Sequence, residues 1–115
     1  MRDPNEENFE RLQHIAKAIS DIQKYVLGET SASFCENDIL HDAVLLQFII
    51  IGEAITHVEN EILEKYDYPW YKVRSFRNMI AHEYFNIKLV AVWEIIANHL
   101  PALKAMVDKI IEEKF

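Results

Sequence analysis

Residues that make turns are scarce in this chain. Glycine occurs only at Gly28 and Gly52, and proline only at Pro4, Pro69 and Pro101. A fold of many short strands needs such residues at regular intervals between its apolar runs, so the chain is confined to a few long elements. Those elements read as helices. Phe9, Leu12, Ile15, Ile19, Ile22 and Val26 recur every three or four positions, and Gly28 follows where a helix C-terminal cap belongs. A second stripe, Leu40, Val44, Phe48, Ile51, Ile55, Val58 and Ile62, predicts a helix over about 39–66. Leu46, Ile49 and Ile50 make its middle apolar nearly all round, and so buried.

Within that second helix, Gly52 allows a neighbouring backbone to come close, and Glu53 sets a carboxylate in the apolar stretch, where it needs a partner. Before it, Ser33 and Glu36 have the spacing of a capping box, with Asn37 and Asp38 able to break the turn. A third helix starts at Asp67-Tyr68-Pro69-Trp70, with Pro69 in its first position, and reaches about His82. A fourth has Asn86 as its cap and a seam of Leu89, Trp93, Ile96, Leu100, Leu103, Val107 and Ile110. The seam keeps its phase across Pro101, which favours a kink over a restart there. The expected fold is all-α, an up-and-down antiparallel bundle of four main helices with room for a fifth. It forms a single domain over 1–115, since half of the 115 residues are apolar, enough for one core.

Composition narrows the function. The only cysteine, Cys35, leaves no intrachain disulfide and suits a reducing compartment. The polar start MRDPNEENFER does not read as a signal peptide. The longest oily run, Val44 to Ile51, is too short to cross a membrane. A cytoplasmic protein without membrane partners is expected. The net charge of −7 argues against a general nucleic-acid binder, which gains affinity by neutralising phosphates. The acids gather at the ends, at Asp3, Glu6, Glu7, Glu10, Glu112 and Glu113. By contrast, 71–88 holds Lys72, Arg74, Arg77 and Lys88 against Glu83 alone.

Chemistry concentrates in RNMIAHEYF, residues 77–85. His14, His41, His57 and His99 lack metal-ligand spacing, His82-Glu83 lacks the second histidine of HExxH, and there is no phosphate-binding glycine loop. Neither a metal nor another cofactor is expected. A histidine and an arginine suffice for RNA cleavage, because the 2′-hydroxyl is an internal nucleophile and the protein need only move protons and stabilise charge. DNA lacks that hydroxyl and is not an expected substrate. In this scheme His82 is the acid or base and Arg77 holds the non-bridging oxygens. Asn78 and Arg74 orient or bind the substrate. Five residues on a regular helix turn through roughly 140°, so Arg77 and His82 do not share a face. A two-fold dimer would gather two such pairs in one cleft. Taken alone, the pair also fits simple complementarity with a helix C-terminus. Trp70 and Trp93 fall on apolar stripes and read as core.

Arg77-Asn78-Met79-Ile80-Ala81-His82-Glu83-Tyr84 resembles the R-x4-H-x-Y motif of the HepT-like HEPN ribonuclease toxins. Ile51-Gly52-Glu53-Ala54, Tyr68-Pro69-Trp70, Phe85, Val92-Trp93 and Leu100-Pro101-Ala102-Leu103 extend the likeness over about 42–103. The resemblance implies an α-helical homodimer, open to higher assembly. It also implies a metal-independent endoribonuclease acting as the toxin of a toxin–antitoxin pair, with Arg77 and His82 catalytic. The implied antitoxin is a minimal nucleotidyltransferase of the MntA type, which silences the toxin by placing AMP on Tyr84. Bulky phosphate there would block RNA and occupy the guanidinium. Two residues depart from the pattern: Glu83 stands where many relatives have a small residue, and Asn86 where aspartate is common. The alternative is a non-catalytic HEPN module that binds a nucleotidyltransferase or its nucleotide.

Overall fold

The structure, a computed structural model, describes residues 3–115. The helices are α1 (Pro4–Tyr25), α2 (Ser31–Glu36), α3 (Asp38–Thr56), α4 (Asn60–Leu63), α5 (Trp70–His82), α6 (Leu89–Asn98) and α7 (Leu100–Lys114). A single 3₁₀ turn, Tyr84–Asn86, follows α5. No strand occurs among the described residues. The fold is all-α. Its four main members are α1, α3, α5 and the bent α6–α7 pair, with α2 and α4 as short additions.

Asp3 caps α1 by accepting from the Asn5 amide at 2.9 Å, with Pro4 in the first turn. Leu12, Ile15, Ile19 and Ile22 of the α1 stripe are fully buried, and Gly28 takes φ +79° just beyond the helix. That left-handed conformation is one glycine adopts without strain. The capping box lies one turn earlier than the Ser33/Glu36 reading. Thr30 Oγ1 accepts from the Ser33 amide (3.1 Å) and Ser33 Oγ accepts from the Thr30 amide (2.8 Å). Asn37 does break the chain between α2 and α3, and its side chain caps α3 through the Leu40 amide at 3.1 Å.

The second helix does not run to residue 66. It stops at Thr56, because the Asn8 side chain accepts the Glu59 amide at 3.0 Å and holds the chain in an extended turn. Val58 and Leu63 are then buried from the turn and from α4 instead. Nor is α3 buried all round. Ile39 (85%), Leu46 (55%) and Ile50 (36%) are exposed, and their spacing puts them on one outward face together with Asp42 and Glu53. By length and composition the whole of α3, unlike the shorter run Val44 to Ile51, is apolar enough to cross a membrane. Here it is the central helix of the core, with α1 packed on it on one side and α5 on the other.

Pro69 precedes the first residue of α5 instead of opening it. Asn86 lies in the 3₁₀ turn, and α6 begins at Leu89 after Lys88 with no side-chain cap. The last helix restarts rather than kinking through. It breaks at His99, Pro101 sits in the first turn of α7, and the two segments are bent by 48°. The seam nonetheless stays inward, with Ile96, Leu100, Leu103, Val107 and Ile110 buried. Trp70 is also buried and Trp93 packs on the core.

Helices α3 and α5 approach closely at Gly52. A Cβ on Gly52 would stand 2.1 Å from Arg77 Cβ and 2.5 Å from Arg77 Cγ. Glycine at 52 is therefore a packing requirement. Elsewhere in a helix Gly→Ala stabilises by up to about 1 kcal/mol. Here the obstacle is the root of a side chain, which cannot move unless α5 moves, and overpacking of this kind costs about 1–3 kcal/mol. Gly52→Ala is expected to lower the thermal unfolding midpoint by several degrees, read by far-UV circular dichroism. A raised midpoint would show that α5 is not seated on Gly52.

Candidate active site

The site grows out of the α3/α5 seam. Reading up α5 and into the turn after it, Arg74 meets Asn60, Arg77 meets Glu53 and Tyr84 meets Asp42. The partners descend as the site residues ascend, so α3 and α5 are antiparallel and their polar edges face each other. Inside this edge, Phe48 and Phe76 pack edge to face at 4.9 Å between ring centroids.

Arg77 is the most constrained of the group. Its Nη2 donates to Glu53 Oε2 at 3.0 Å and its Nη1 to Asn78 Oδ1 at 3.1 Å, while Nε is buried. Asn78 thus orients the guanidinium. Arg74 donates from Nη2 to Asn60 Oδ1 at 3.1 Å. His82 is the last residue of α5, and its exposed side chain has no hydrogen-bond or ion-pair partner among the described residues. The two proposed catalytic side chains therefore share the end of one regular helix without being joined, as the angle of roughly 140° between them requires. Arg77 turns into the seam with α3, and His82 stays in solvent. Glu83 closes α5 by donating its amide to the Met79 carbonyl at 2.8 Å.

Tyr84 is about half exposed, and its hydroxyl donates to Asp42 Oδ1 at 2.9 Å. That hydrogen bond is the main reason its pKa is raised above the ordinary phenol value, with partial burial and the negative charges of Asp42 and Asp38 adding to it. Sequence reading missed Asp42 and Asn60 entirely, and assigned Glu53 a need but no partner. The antiparallel register of α3 and α5 would have supplied Glu53 and Asp42, whereas Asn60 depends on the placement of α4. A separate apolar cavity of about 290 Å³, lined by Phe48, Val73, Phe76, Leu100 and Leu103 among others, holds none of these site residues.

A family model described as Ribonuclease HepT-like matches residues 15–110. The chain belongs to the HepT-like ribonuclease family. It is 36% identical over 103 residues to a Methanocaldococcus jannaschii protein named as a gamma-glutamylcyclotransferase and candidate RNase. That alignment covers 89% of this chain but only 46% of the relative, so the chain spans about half of that protein's length. A candidate RNase of Caldanaerobacter subterraneus is 29% identical over 90% of this chain and 93% of its own length. A Thermococcus cleftensis protein named "Probable ribonuclease HepT" is 28% identical over 86% of this chain and 91% of its own. No solved structure gives a match. The R-x4-H-x-Y residues that carried the resemblance thus lie in a chain whose HepT-like match covers α3, α5, α6, half of α1 and most of α7.

The Tyr84–Asp42 contact makes a direct test. A raised folded-state pKa means that the interaction is fully present below the unfolded phenol value, about 10, and is lost as pH rises through the folded one. Asp42→Asn removes the nearest negative charge, so Tyr84 is expected to ionise at lower pH in that variant. The phenolate absorbance titration, taken as the difference from Tyr84→Phe, reads this shift. An unchanged titration would mean that the phenol does not engage Asp42 in solution.

Proposed function

We propose that this HepT-like chain is a metal-independent endoribonuclease, the toxin of a toxin–antitoxin pair, that works as a homodimer in the cytoplasm. The observation that carries the reading is a guanidinium held in a fixed pose on α5, five residues before an exposed imidazole that has no partner among the described residues. Those groups meet the needs of RNA cleavage. The substrate's 2′-oxygen attacks the adjacent phosphorus, its proton passing to an imidazole. The phosphorus–5′-oxygen bond breaks, and the leaving oxygen takes a proton from an imidazolium. Arg77 stabilises the charge on the non-bridging oxygens. The products are a cyclic 2′,3′-phosphate and a free 5′-hydroxyl.

A second copy supplies what one chain lacks. Ile39, Leu46 and Ile50 form an exposed apolar stripe on α3, and Met79 and the almost fully exposed Phe85 lie on the segment that carries the motif. Apolar patches of this kind mark association surfaces. A two-fold pairing over them would bring two Arg77/His82 ends together, one imidazole acting as base and the other as acid.

Tyr84 is the proposed point of control. In an AMP transfer from ATP, its phenolic oxygen would attack the α-phosphorus, pyrophosphate would leave, and the phenol proton would pass to Asp42, which already accepts its hydrogen bond. The antitoxin of this reading is a minimal nucleotidyltransferase. A second reading, a non-catalytic module that binds such a partner or its nucleotide, is favoured by Glu53 cancelling the charge of Arg77 and by Glu83 next to His82.

Expression of the chain alone separates the two. RNA loss and growth arrest are expected with the unmutated chain. His82→Ala and Arg77→Ala, soluble at equal levels, should each lose cleavage by about 10²- to 10⁴-fold. If the unmutated chain and both variants are equally harmless, the binding-module reading replaces the toxin. With a minimal nucleotidyltransferase and ATP, one AMP is expected on Tyr84 by mass spectrometry and none on Tyr84→Phe.

A further inference from the structure

A catalytic arginine is only as good as its pose. The guanidinium carries its donors in a planar fork, but it sits on a flexible stem with about 2 kcal/mol of rotamer entropy. Something must hold both ends. In this chain the stem is seated where Gly52 has no side chain, with Arg77 Cβ at 2.1 Å from the site a Cβ would occupy. The head is then met by the very next residue of α3, Glu53, whose Oε2 accepts from Arg77 Nη2 at 3.0 Å. Glu53 is itself tethered, because its Oε1 lies 3.2 Å from Nε2 of His57, the residue just after α3. Asn78 takes the other terminal nitrogen at 3.1 Å. Each terminal nitrogen carries a second hydrogen that has no partner among the described residues.

We propose that Glu53 is a positioning residue for Arg77, fixing the plane of the guanidinium while Gly52 fixes its stem. The inference rests on the ribonuclease reading above and deepens it. An ordinary role in stability does not account for the pair. Its side chains are 32% and 52% exposed, and pairs so placed contribute at most about 1 kcal/mol. The pair also carries a cost for binding, since the carboxylate cancels part of the attraction between Arg77 and RNA phosphate. Orientation and charge therefore pull in opposite directions, and a substitution that removes only the charge separates them.

Glu53→Gln keeps the size and an acceptor oxygen but loses the charge. Its kcat on single-stranded RNA is expected to fall by about 10- to 100-fold, the scale of a misplaced catalytic group, while KM falls or stays level. In the Arg77→Lys background, which has no fork to orient, the same change should alter kcat by less than about 2-fold, because groups acting as a unit are not additive. A readout independent of cleavage is the NMR signal of the Arg77 terminal N–H groups. It should be resolved in the unmutated chain, absent in Arg77→Lys and broadened in Glu53→Gln. An unchanged kcat, equal losses in both backgrounds, or unchanged Arg77 signals in Glu53→Gln would overturn the proposal. If the unmutated chain cleaves no RNA while Glu53→Gln still broadens those signals, the ribonuclease reading falls and Glu53 remains the residue that holds Arg77.

Discussion

The contact on which the rest of this structure depends is the seating of Arg77 on Gly52. Helices normally pack with side chains between their axes. Here one side chain is missing, and the root of an arginine fills the place. That sets the distance between α3 and α5, and with it the register of the polar edge from Asn60–Arg74 through Glu53–Arg77 to Asp42–Tyr84. The same register stacks Phe48 against Phe76 on the inner side. One small residue thus couples the core to the site. A shift of α5 away from α3 would loosen the aromatic contact and the pose of the guanidinium together.

The seam divides its work between its two sides. On the inner side lie Phe48, Ile51 and Ile55, buried residues whose transfer from water stabilises the fold by about 1.5–3 kcal/mol each. On the outer side lie half-exposed ion pairs and hydrogen bonds that contribute little to stability but fix the direction of the chemical groups. Polar substitutions at the outer edge should therefore be readable as changes in chemistry, because the fold does not rest on them.

Much of this was legible in the residues themselves. The stripes of α1, α3 and α6–α7 follow the helical period and most of their residues are buried, with Ala18, Leu45, Ala54 and Val92 buried beside them. What failed were features decided by distant parts of the chain. The break after Thr56 depends on Asn8, which accepts the Glu59 amide from α1, and no local pattern around 56–59 announces it. Asn86 looked like a cap but was taken into a 3₁₀ turn. Glu53 looked buried because its neighbours are apolar, yet it lies on the outward face with Leu46 and Ile50. For the site, Arg77, Asn78, His82 and Tyr84 were readable because they are contiguous. Asp42 was not, since only the antiparallel register of α3 and α5 identifies it, and Asn60 depends on where α4 is set after the break.

That register also bears on how an acidic chain could act on RNA. With a net charge of −7 and a carboxylate on its central arginine, one copy has little electrostatic attraction for a polyanion. Its donors are nevertheless fixed before any substrate arrives, so no reorganisation is needed as charge develops on phosphorus. In the proposed enzyme, selectivity then comes from shape. An RNA must present a flexible phosphate to the free edge of Arg77 while His82, on another face of the same helix end, reaches the 2′- or 5′-oxygen. A structured helix would meet that demand poorly, whereas an unpaired segment can bend to it, which makes single-stranded RNA the substrate class that this geometry fits.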